Sequence, residues 1–349
     1  MLNDKEINEI RKFLDDSSNP VFLFDDDCDG TCAYLLLKKY CKKGEGIIVK
    51  SSPVLDVDYA GKVLDLNPDL VVVLDKPMIS QEFIDNVNRK IVWLDHHPVQ
   101  NMGKVNYYNP RKNNDSDNRP TTYLAYSVVN SNLWIAAVGC IFDHYIPDFI
   151  EEFIKEYPEL LDKKPKQPGE ALYNNKLGKV IRIFSLNLKG KPREVKKSVS
   201  ALERISTPYE ILNKETKEGK FLYERYEKLN KEYEELLVKA KEQVSKENVF
   251  VFTYPSSRTS FTSELSNELI YLYPNKLVIV GRHKDDSIRM SFRSTSINVP
   301  ELLKKALVGI RGYGGGHDLA CGGAVNAEDF EKFVENIRNI VNVKTIKAK

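Results

Sequence analysis

Four carboxylates fall within five residues, at Asp25, Asp26, Asp27 and Asp29, directly after the apolar run at 20–24. Acidic groups this close repel one another unless a cation neutralises them or some stay protonated. Two further apolar runs end the same way. LVVVLD at 70–75 closes on Asp75, and KIVWLDHHP at 90–98 delivers Asp95, His96 and His97. Oxygen donors mixed with imidazoles suit Mn²⁺ or a similar divalent ion better than a thiolate zinc site. Several carboxylates around one small volume point to two ions, one carboxylate being shared. Two closely spaced ions orient an attacking hydroxide and stabilise charge on both sides of an in-line displacement at phosphorus. Singly, each residue has a plainer reading: Asp29-Gly30 as an acidic turn, Asp75 as a helix N-cap, His97 as a hydrogen-bonded core histidine. Three segments delivering such groups to one place argue for chemistry.

That convergence depends on the elements carrying the residues. Val21, Phe22, Leu23 and Phe24 are apolar without alternation, as in a strand covered on both faces of a parallel sheet. The helix-like TCAYLLLKKYC, the strand GIIVKSS (46–52), a helix near 57–66, the strand at 70–75, a helix near 79–87 and the strand at 90–98 follow in alternation. The pattern predicts an α/β fold with a doubly wound, mostly parallel sheet. Such sheets place ligands outside the carboxyl ends of their strands, where all these acidic residues would sit.

The rest of the chain sets the frame. At 349 residues and 42% hydrophobic, it is long enough for two domains. A net charge of +2, from 52 basic and 50 acidic residues, makes any basic surface local. No apolar run has the length of a membrane span, and MLNDKEINEIRK lacks a signal-peptide core. Cysteines at 28, 32, 41, 140 and 321 show no zinc spacing, and their odd number suits a reducing cytoplasm. Cys28 and Cys32 read as small packing residues.

The organisation expected is a catalytic domain over 1–186, a helical linker over 187–246 and a smaller α/β domain over 247–349. In the loop at 106–122, Thr121 or Thr122 is a fair N-cap, and Arg111, Lys112 and Arg119 either reach a phosphate or merely solvate the loop. Basic clusters recur at 161–170 and 188–197. A long amphipathic helix at about 219–243, with Glu/Lys pairs at i,i+4, reads as a connector or as a dimer seam in a homo-oligomer. In the last hundred residues, NVFVFTYP, KLVIVGRH and IRMSFRS read as strands. RGYGGGHDLACGGAV (311–325) reads as a glycine-rich loop whose N–H groups can face an anion, running into a tightly packed helix near 320–322. A flexible hinge is the plainer alternative.

Asp-x-Asp-x-Asp-Gly at 25–30, the strand-ending Asp75 and Asp95-His96-His97 together resemble the DHH phosphoesterase superfamily, in its RecJ-like branch. LWIAAVGCIFDHYIP at 133–147 matches a further family motif, with Asp143 as its carboxylate. The resemblance implies phosphodiester hydrolysis with two ions, usually Mn²⁺, with Mg²⁺ or Co²⁺ as substitutes. Carried over, Asp27 resembles a ligand of one ion and Asp29 of the other. Asp75 resembles the bridge, and His96 and Asp143 look like further ligands. Asp25 matches the first aspartate of the motif. His97 would face the scissile phosphate, with Asp95 orienting the histidine pair. Two positions depart from the pattern: Leu23 stands where many relatives carry a histidine, and Asp26 adds a carboxylate.

Ser291-Phe292-Arg293 followed by Gly314-Gly315-Gly316-His317 resembles the DHHA1 domain that accompanies DHH domains. There Ser291, Arg293, the three glycines and His317 would bind the substrate backbone, Arg258 being a weaker candidate. Tyr107, Tyr108 or Tyr313 could stack on bases. The chain resembles the compact archaeal RecJ-like exonucleases, including the type called Hef-associated nuclease. That implies a single-strand-specific exonuclease on DNA or RNA, of 3′→5′ polarity, in replication or repair, with a replication or repair helicase as a partner. Two rivals stand beside it. One is an enzyme on short substrates (nanoRNA, 3′-phosphoadenosine 5′-phosphate or cyclic dinucleotides), which Leu23 disfavours. The other is a catalytically silent scaffold, which intact carboxylates disfavour.

Overall fold

In the computed structural model, which describes residues 1–50, 53–256 and 259–347, the chain divides into two compact units, Met1–Tyr226 and Glu227–Lys349. The first opens with α1 (Asp4–Asp16), started by a capping box between Asn3 and Glu6. There follow β1 (Pro20–Asp25), α2 (Cys28–Cys41), β2 (Glu45–Val49), β3 (Val54–Leu55), α3 (Ala60–Leu64), β4 (Leu70–Leu74), β5 (Met78–Ile79), α4 (Gln81–Val87), β6 (Lys90–Leu94) and β7 (Asn106–Tyr108). Five of these strands form one sheet in the order β2-β1-β4-β6-β7, every pair parallel. Residues 20–24 of β1, all of β4 and residues 91–94 of β6 are buried. Their unbroken apolar runs therefore have helices or loops on both faces, as the sequence predicts. Chain order reverses at β1, so the switch point of the sheet lies between β1 and β4, which end beside Asp25 and Asp75.

Helices α5 (Thr121–Val129) and α6 (Leu133–Phe142) pack on α2 with almost no room to spare. A Cβ at Gly139 would lie 2.2 Å from Thr122 Oγ1 and 2.8 Å from Cys32 Cβ. Gly139 is thus what lets α6 approach, and Cys32 is the packing residue expected. The first unit continues through α7 (Ile150–Glu156), α8 (Pro168–Tyr173), α9 (Lys176–Asn187), α10 (Pro192–Leu202) and α11 (Pro208–Leu212) into the long α12 (Lys217–Glu242). The boundary between the units falls within α12. Among the described residues no helix is long and apolar enough to cross a membrane.

The second unit holds β8 (Val249–Tyr254), α13 (Thr262–Leu272), β9 (Leu277–Lys284), β10 (Ser287–Arg293), α14 (Val299–Ala306), β11 (Gly312–His317), β12 (Ala320–Asn326) and α15 (Phe330–Lys347). Its sheet runs β11-β12-β10-β9-β8, with β8 and β9 parallel and the other pairs antiparallel. Ile288, Met290, Phe292, Cys321 and Val325 pack one face of it against Leu302, Leu303, Phe333 and Ile337. One expectation is corrected here. The stretch 311–325 is a hairpin, β11 and β12, and no helix begins at 320–322. Cys321 and Val325 alternate into the core, and the ladder to β10 supplies the backbone hydrogen bonds. So many glycines hide that period of two.

Close packing at Gly139 makes a testable contrast. Gly139→Ala should lose roughly 1–3 kcal/mol by overpacking. Gly61→Ala, whose Cβ would meet nothing within 4 Å, should be neutral or stabilising by about 0.5–1 kcal/mol. Urea unfolding of the two variants beside the parent measures both.

Candidate active site

β1 and β4 each end by turning a carboxylate toward one cleft, and β6 ends on a buried carboxylate that positions a histidine of the same cleft. β1 ends at Asp25; Asp27 then caps α2, its Oδ1 accepting from Gly30 N at 3.0 Å. A Cβ at Gly30 would come within 2.8 Å of Asp25 N, so only glycine lets this turn fold back on the strand. After β4, Asp75 takes a left-handed φ of 57°, uncommon for a residue with a side chain. After β6, Asp95 is fully buried. It accepts from His97 N at 3.1 Å, and from Tyr107 Oη and Asn109 Nδ2 at 3.2 Å each. Its other oxygen lies 2.7 Å from His97 Nδ1. The ring is thereby oriented from its Nδ1 side.

Asp29, in the first turn of α2, reaches α5. Its two oxygens accept from Thr121 N at 2.8 Å and Thr122 N at 2.7 Å, while Thr122 Oγ1 donates back to the Asp29 carbonyl at 2.9 Å. Neither threonine is therefore the N-cap; Pro120 stands there, and the first N–H groups of α5 are satisfied by a carboxylate from another helix. Thr121 Oγ1 donates to Asp75 Oδ1 at 3.1 Å. Asp143 terminates α6. His96 Nε2 lies 3.5 Å from Asp75 Oδ1 and 3.9 Å from Asp29 Oδ2, with its Nδ1 3.8 Å from Asp143 Oδ2.

Among the described residues, three trios each have their donor atoms within 4.8 Å of one another: Asp75, His96 and His97; Asp29, His96 and Asp143; Asp25, Asp27 and Asp75. Imidazole and carboxylate donors at this spacing suit a divalent ion of the Mn²⁺ or Mg²⁺ kind. An open cleft of about 260 Å³ gives access, lined among others by Asp26, Pro53 and Pro77.

Lys76 is a site residue that the sequence reading misses. Its side chain is 1% exposed, its Nζ lies 2.5 Å from Asp25 Oδ1, and it lines the cleft. The carbonyl of Lys76 accepts from Trp93 Nε1 at 2.9 Å, which fixes its backbone. A lysine directly after a strand-ending aspartate is the only signal of it in the sequence. Leu23, the position noted above as departing from the family pattern, is part of the apolar core.

The electrostatics are those of a site short of positive charge. Burial, then the charges of Asp25 and Asp29, push Asp27 up to about 8. Burial and neighbouring carboxylates hold Asp75 and Asp143 well above the ordinary range. Asp25 is raised by burial, against the pull of Lys76. Burial also raises Asp29, against the bonds from Thr122 and Thr121. For His97 burial acts downward, yet its bond to Asp95 and the surrounding negative charge carry it above its usual value.

Other expected contacts fare differently. Tyr107 and Tyr108 are 8% and 6% exposed, so neither can stack on a base. Tyr107 instead stacks on Trp93 with ring centroids 3.9 Å apart, and Tyr108 Oη is 3.2 Å from Glu9. Lys112 donates to the Tyr107 carbonyl, and Arg119 pairs with Asp117, both at 2.5 Å. Arg258 lies outside the described residues. In the second unit, strand register sets Ser291 beside Gly322 and Gly315, and Arg293 beside Ala320 and His317. Arg293 is held by Asn267 Oδ1 at 2.6 Å and the Phe292 carbonyl at 2.9 Å. Gly314 and Gly316 take the opposite face of β11, where a Cβ at Gly314 would strike Leu303 at 2.9 Å.

Residues 21–161 match the DHH family, N-terminal domain, and residues 247–343 match the DHHA1 domain. Among curated proteins no sequence match reaches significance. Solved structures share the fold. RecJ in complex with Mn²⁺ from Thermus thermophilus superposes with a TM-score of 0.71 at 16% identity over 97% of this chain, which spans only 55% of that RecJ. An exonuclease RecJ bound to manganese gives 0.65 at 17% identity, covering 97% of this chain and 95% of its own. The pGpG-specific phosphodiesterase PggH from Vibrio cholerae gives 0.53 at 14% identity, covering 93% and 99%. With both domains matched in order and the acidic motifs converging on one cleft, the chain belongs to the DHH phosphoesterases and has the RecJ-like pairing of a DHH with a DHHA1 domain.

Proposed function

We propose that this protein is a two-metal phosphodiesterase that degrades single-stranded DNA or RNA from an end, as an exonuclease. The observation that carries the reading is the meeting of Asp25, Asp27, Asp75, Asp143, His96 and His97 within one cleft, with Asp29 buried beside His96 and Asp143. In this proposal Asp27, Asp29, Asp75, His96 and Asp143 would hold the ions, with Asp25 beside them and paired with Lys76. Bound divalent ions, Mn²⁺ first among them, supply water activation and charge neutralisation at the phosphoryl group. The chain does the rest. Asp95 fixes the His97 ring, His97 offers a proton-bearing nitrogen to a phosphate oxygen, and Lys76 offsets part of the cost of burying the Asp25 carboxylate. Ser291, Arg293, Gly315 and His317 form the substrate-binding face of the DHHA1 unit, beside the backbone of Gly314 and Gly316. The compact resemblance to archaeal RecJ-like nucleases supports 3′→5′ polarity and a replication or repair setting.

The likeness to PggH, over nearly the whole of both chains, favours a second reading, hydrolysis of dinucleotides. One experiment separates the two. 5′-labelled single-stranded DNA and RNA, and a labelled dinucleotide, are incubated with Mn²⁺ and the parent protein or Asp75→Ala. A progressively shortening ladder means 3′→5′ exonucleolysis; immediate labelled mononucleotide means 5′→3′. Cleavage of the dinucleotide alone means the short-substrate enzyme, and no metal-dependent product means a scaffold. Asp75→Ala should lower kcat/KM by about 10²–10³-fold or more, as loss of a principal charge-organising group does.

Metal dependence also has a pH signature. Asp27, Asp75 and Asp143 bind protons more tightly in the fold than when unfolded. In chelator-treated protein the contribution of these three groups to stability is therefore full below about pH 4 and is lost as pH rises through their raised folded values, about 8 for Asp27. Mn²⁺ displaces those protons, so the Tm gain on adding Mn²⁺ should grow from about pH 5.5 to about pH 8. In Asp75→Ala that gain should largely vanish. Thermal unfolding at fixed Mn²⁺ across this range is the measurement.

A further inference from the structure

The pleat places alternate residues of the second sheet on opposite faces. One face is the apolar core. On the other, register across the strands lines up three rows. Arg293, Ala320 and His317 make one, and Ser291, Gly322 and Gly315 the next. The third is Arg282, Arg289, Ala324 and Tyr313, of which only Tyr313, as a stacking candidate, figures in the reading above.

This third row is built at a cost. Arg282 on β9 sits directly opposite Arg289 on β10, and like charges so placed destabilise a sheet. Among the described residues neither guanidinium meets a carboxylate, and Arg282 Nε is enclosed without a hydrogen-bond partner. Tyr313 closes the row and is 69% exposed. The adjoining row has a bare floor. A Cβ at Gly315 would meet nothing within 4 Å, and one at Gly322 only Met290 O at 3.9 Å. Neither glycine has a positive φ. Packing and backbone geometry would both accept a side chain there, so open peptide surface is what these glycines provide.

We propose that Arg282, Arg289 and Tyr313 form an additional nucleotide subsite, the arginine pair taking an internucleotide phosphate and the tyrosine ring a base. The row lies two residues, about 7 Å, along the strands from Ser291 and Gly315. Guanidinium groups recognise phosphate by charge and paired donors, and an exposed ring accepts any base by its π-face. Stacked bases of a duplex are closed to such a ring, so the occupant is a single strand. The inference rests on the phosphodiesterase reading and deepens it, since the subsite would make the protein favour strands longer than a dinucleotide.

The test uses the full chain and a fluorescein-labelled oligothymidine of about a dozen nucleotides, with a labelled dinucleotide as the short comparison. Arg289→Gln and Tyr313→Ala should each weaken anisotropy-measured binding of the long strand by about tenfold. Arg289→Gln should also flatten the slope of log Kd against log salt by about one unit. Tyr313→Phe, which keeps the ring, should restore binding, and Arg289→Lys should restore it in part. In Mn²⁺ assays the loss of kcat/KM should be much larger on the long strand than on the dinucleotide. Equal losses on both lengths, or parental binding by both variants with unaltered Tm, would overturn the proposal. If the parent protein binds and cleaves the long strand while the variants match it, only this inference falls. If the parent acts on no nucleic acid at all, the phosphodiesterase reading falls first and takes this with it.

Discussion

Mutual repulsion among carboxylates that are out of water governs the first unit. Asp25, Asp27, Asp29, Asp75 and Asp143 gather at the carboxyl end of one parallel sheet; burial raises the pKa of each, and neighbouring carboxylates add to it at Asp27, Asp75 and Asp143. A fold does not hold such a group together for stability, since each charge left unpaired in the interior is costly. The chain meets part of the demand itself. Lys76 answers Asp25, the first peptide N–H groups of α5 answer Asp29, and a gathered pair of histidines borders Asp75. What remains is a demand for cations, which is the demand a DHH phosphoesterase meets with divalent metal.

The same contacts tie the site to the core. Asp29 both caps α5 and borders His96, so the helix cannot move without moving a donor. Gly139 brings α6 onto Thr122 and Cys32, and Asp143 ends that helix. Asp95 makes no approach to the cleft of its own; it is spent on His97, Tyr107 and Asn109. Rigid elements and buried hydrogen bonds thus set the donor positions, as a site with little tolerance for displacement requires. The left-handed backbone of Asp75 belongs to the same logic, a local strain held by its N–H bond to the Leu94 carbonyl at the end of β6.

In the second unit the division of labour runs between the faces of one sheet. The apolar face is closed by α14 and α15. The opposite face carries arginine, serine, histidine and an exposed tyrosine around bare glycine peptide at its β11 edge. Glycine serves both sides differently: Gly314 leaves room for Leu303, whereas Gly315 leaves room for nothing that the chain itself supplies.

Much of this was legible in the residues alone. Unalternating apolar runs at 21–24, 70–74 and 91–94 announce strands buried on both faces, because such runs fit little else of that length. A carboxylate at the end of each then follows from parallel topology, which puts all carboxyl ends together. What could not be read was whatever depends on register and burial. Nothing local says that Lys76 turns inward, that Tyr107 and Tyr108 are covered, or that Asp29 rather than a threonine caps α5. Glycines at 312–316 conceal strand alternation because they carry no side chain to show it. Arg282 and Arg289 are seven positions apart in the chain and become opposite neighbours only when β9 and β10 pair. Strand periodicity is a property of neighbouring residues and is written in the sequence; partners across a sheet, and the water that burial removes from them, exist only once the chain has folded.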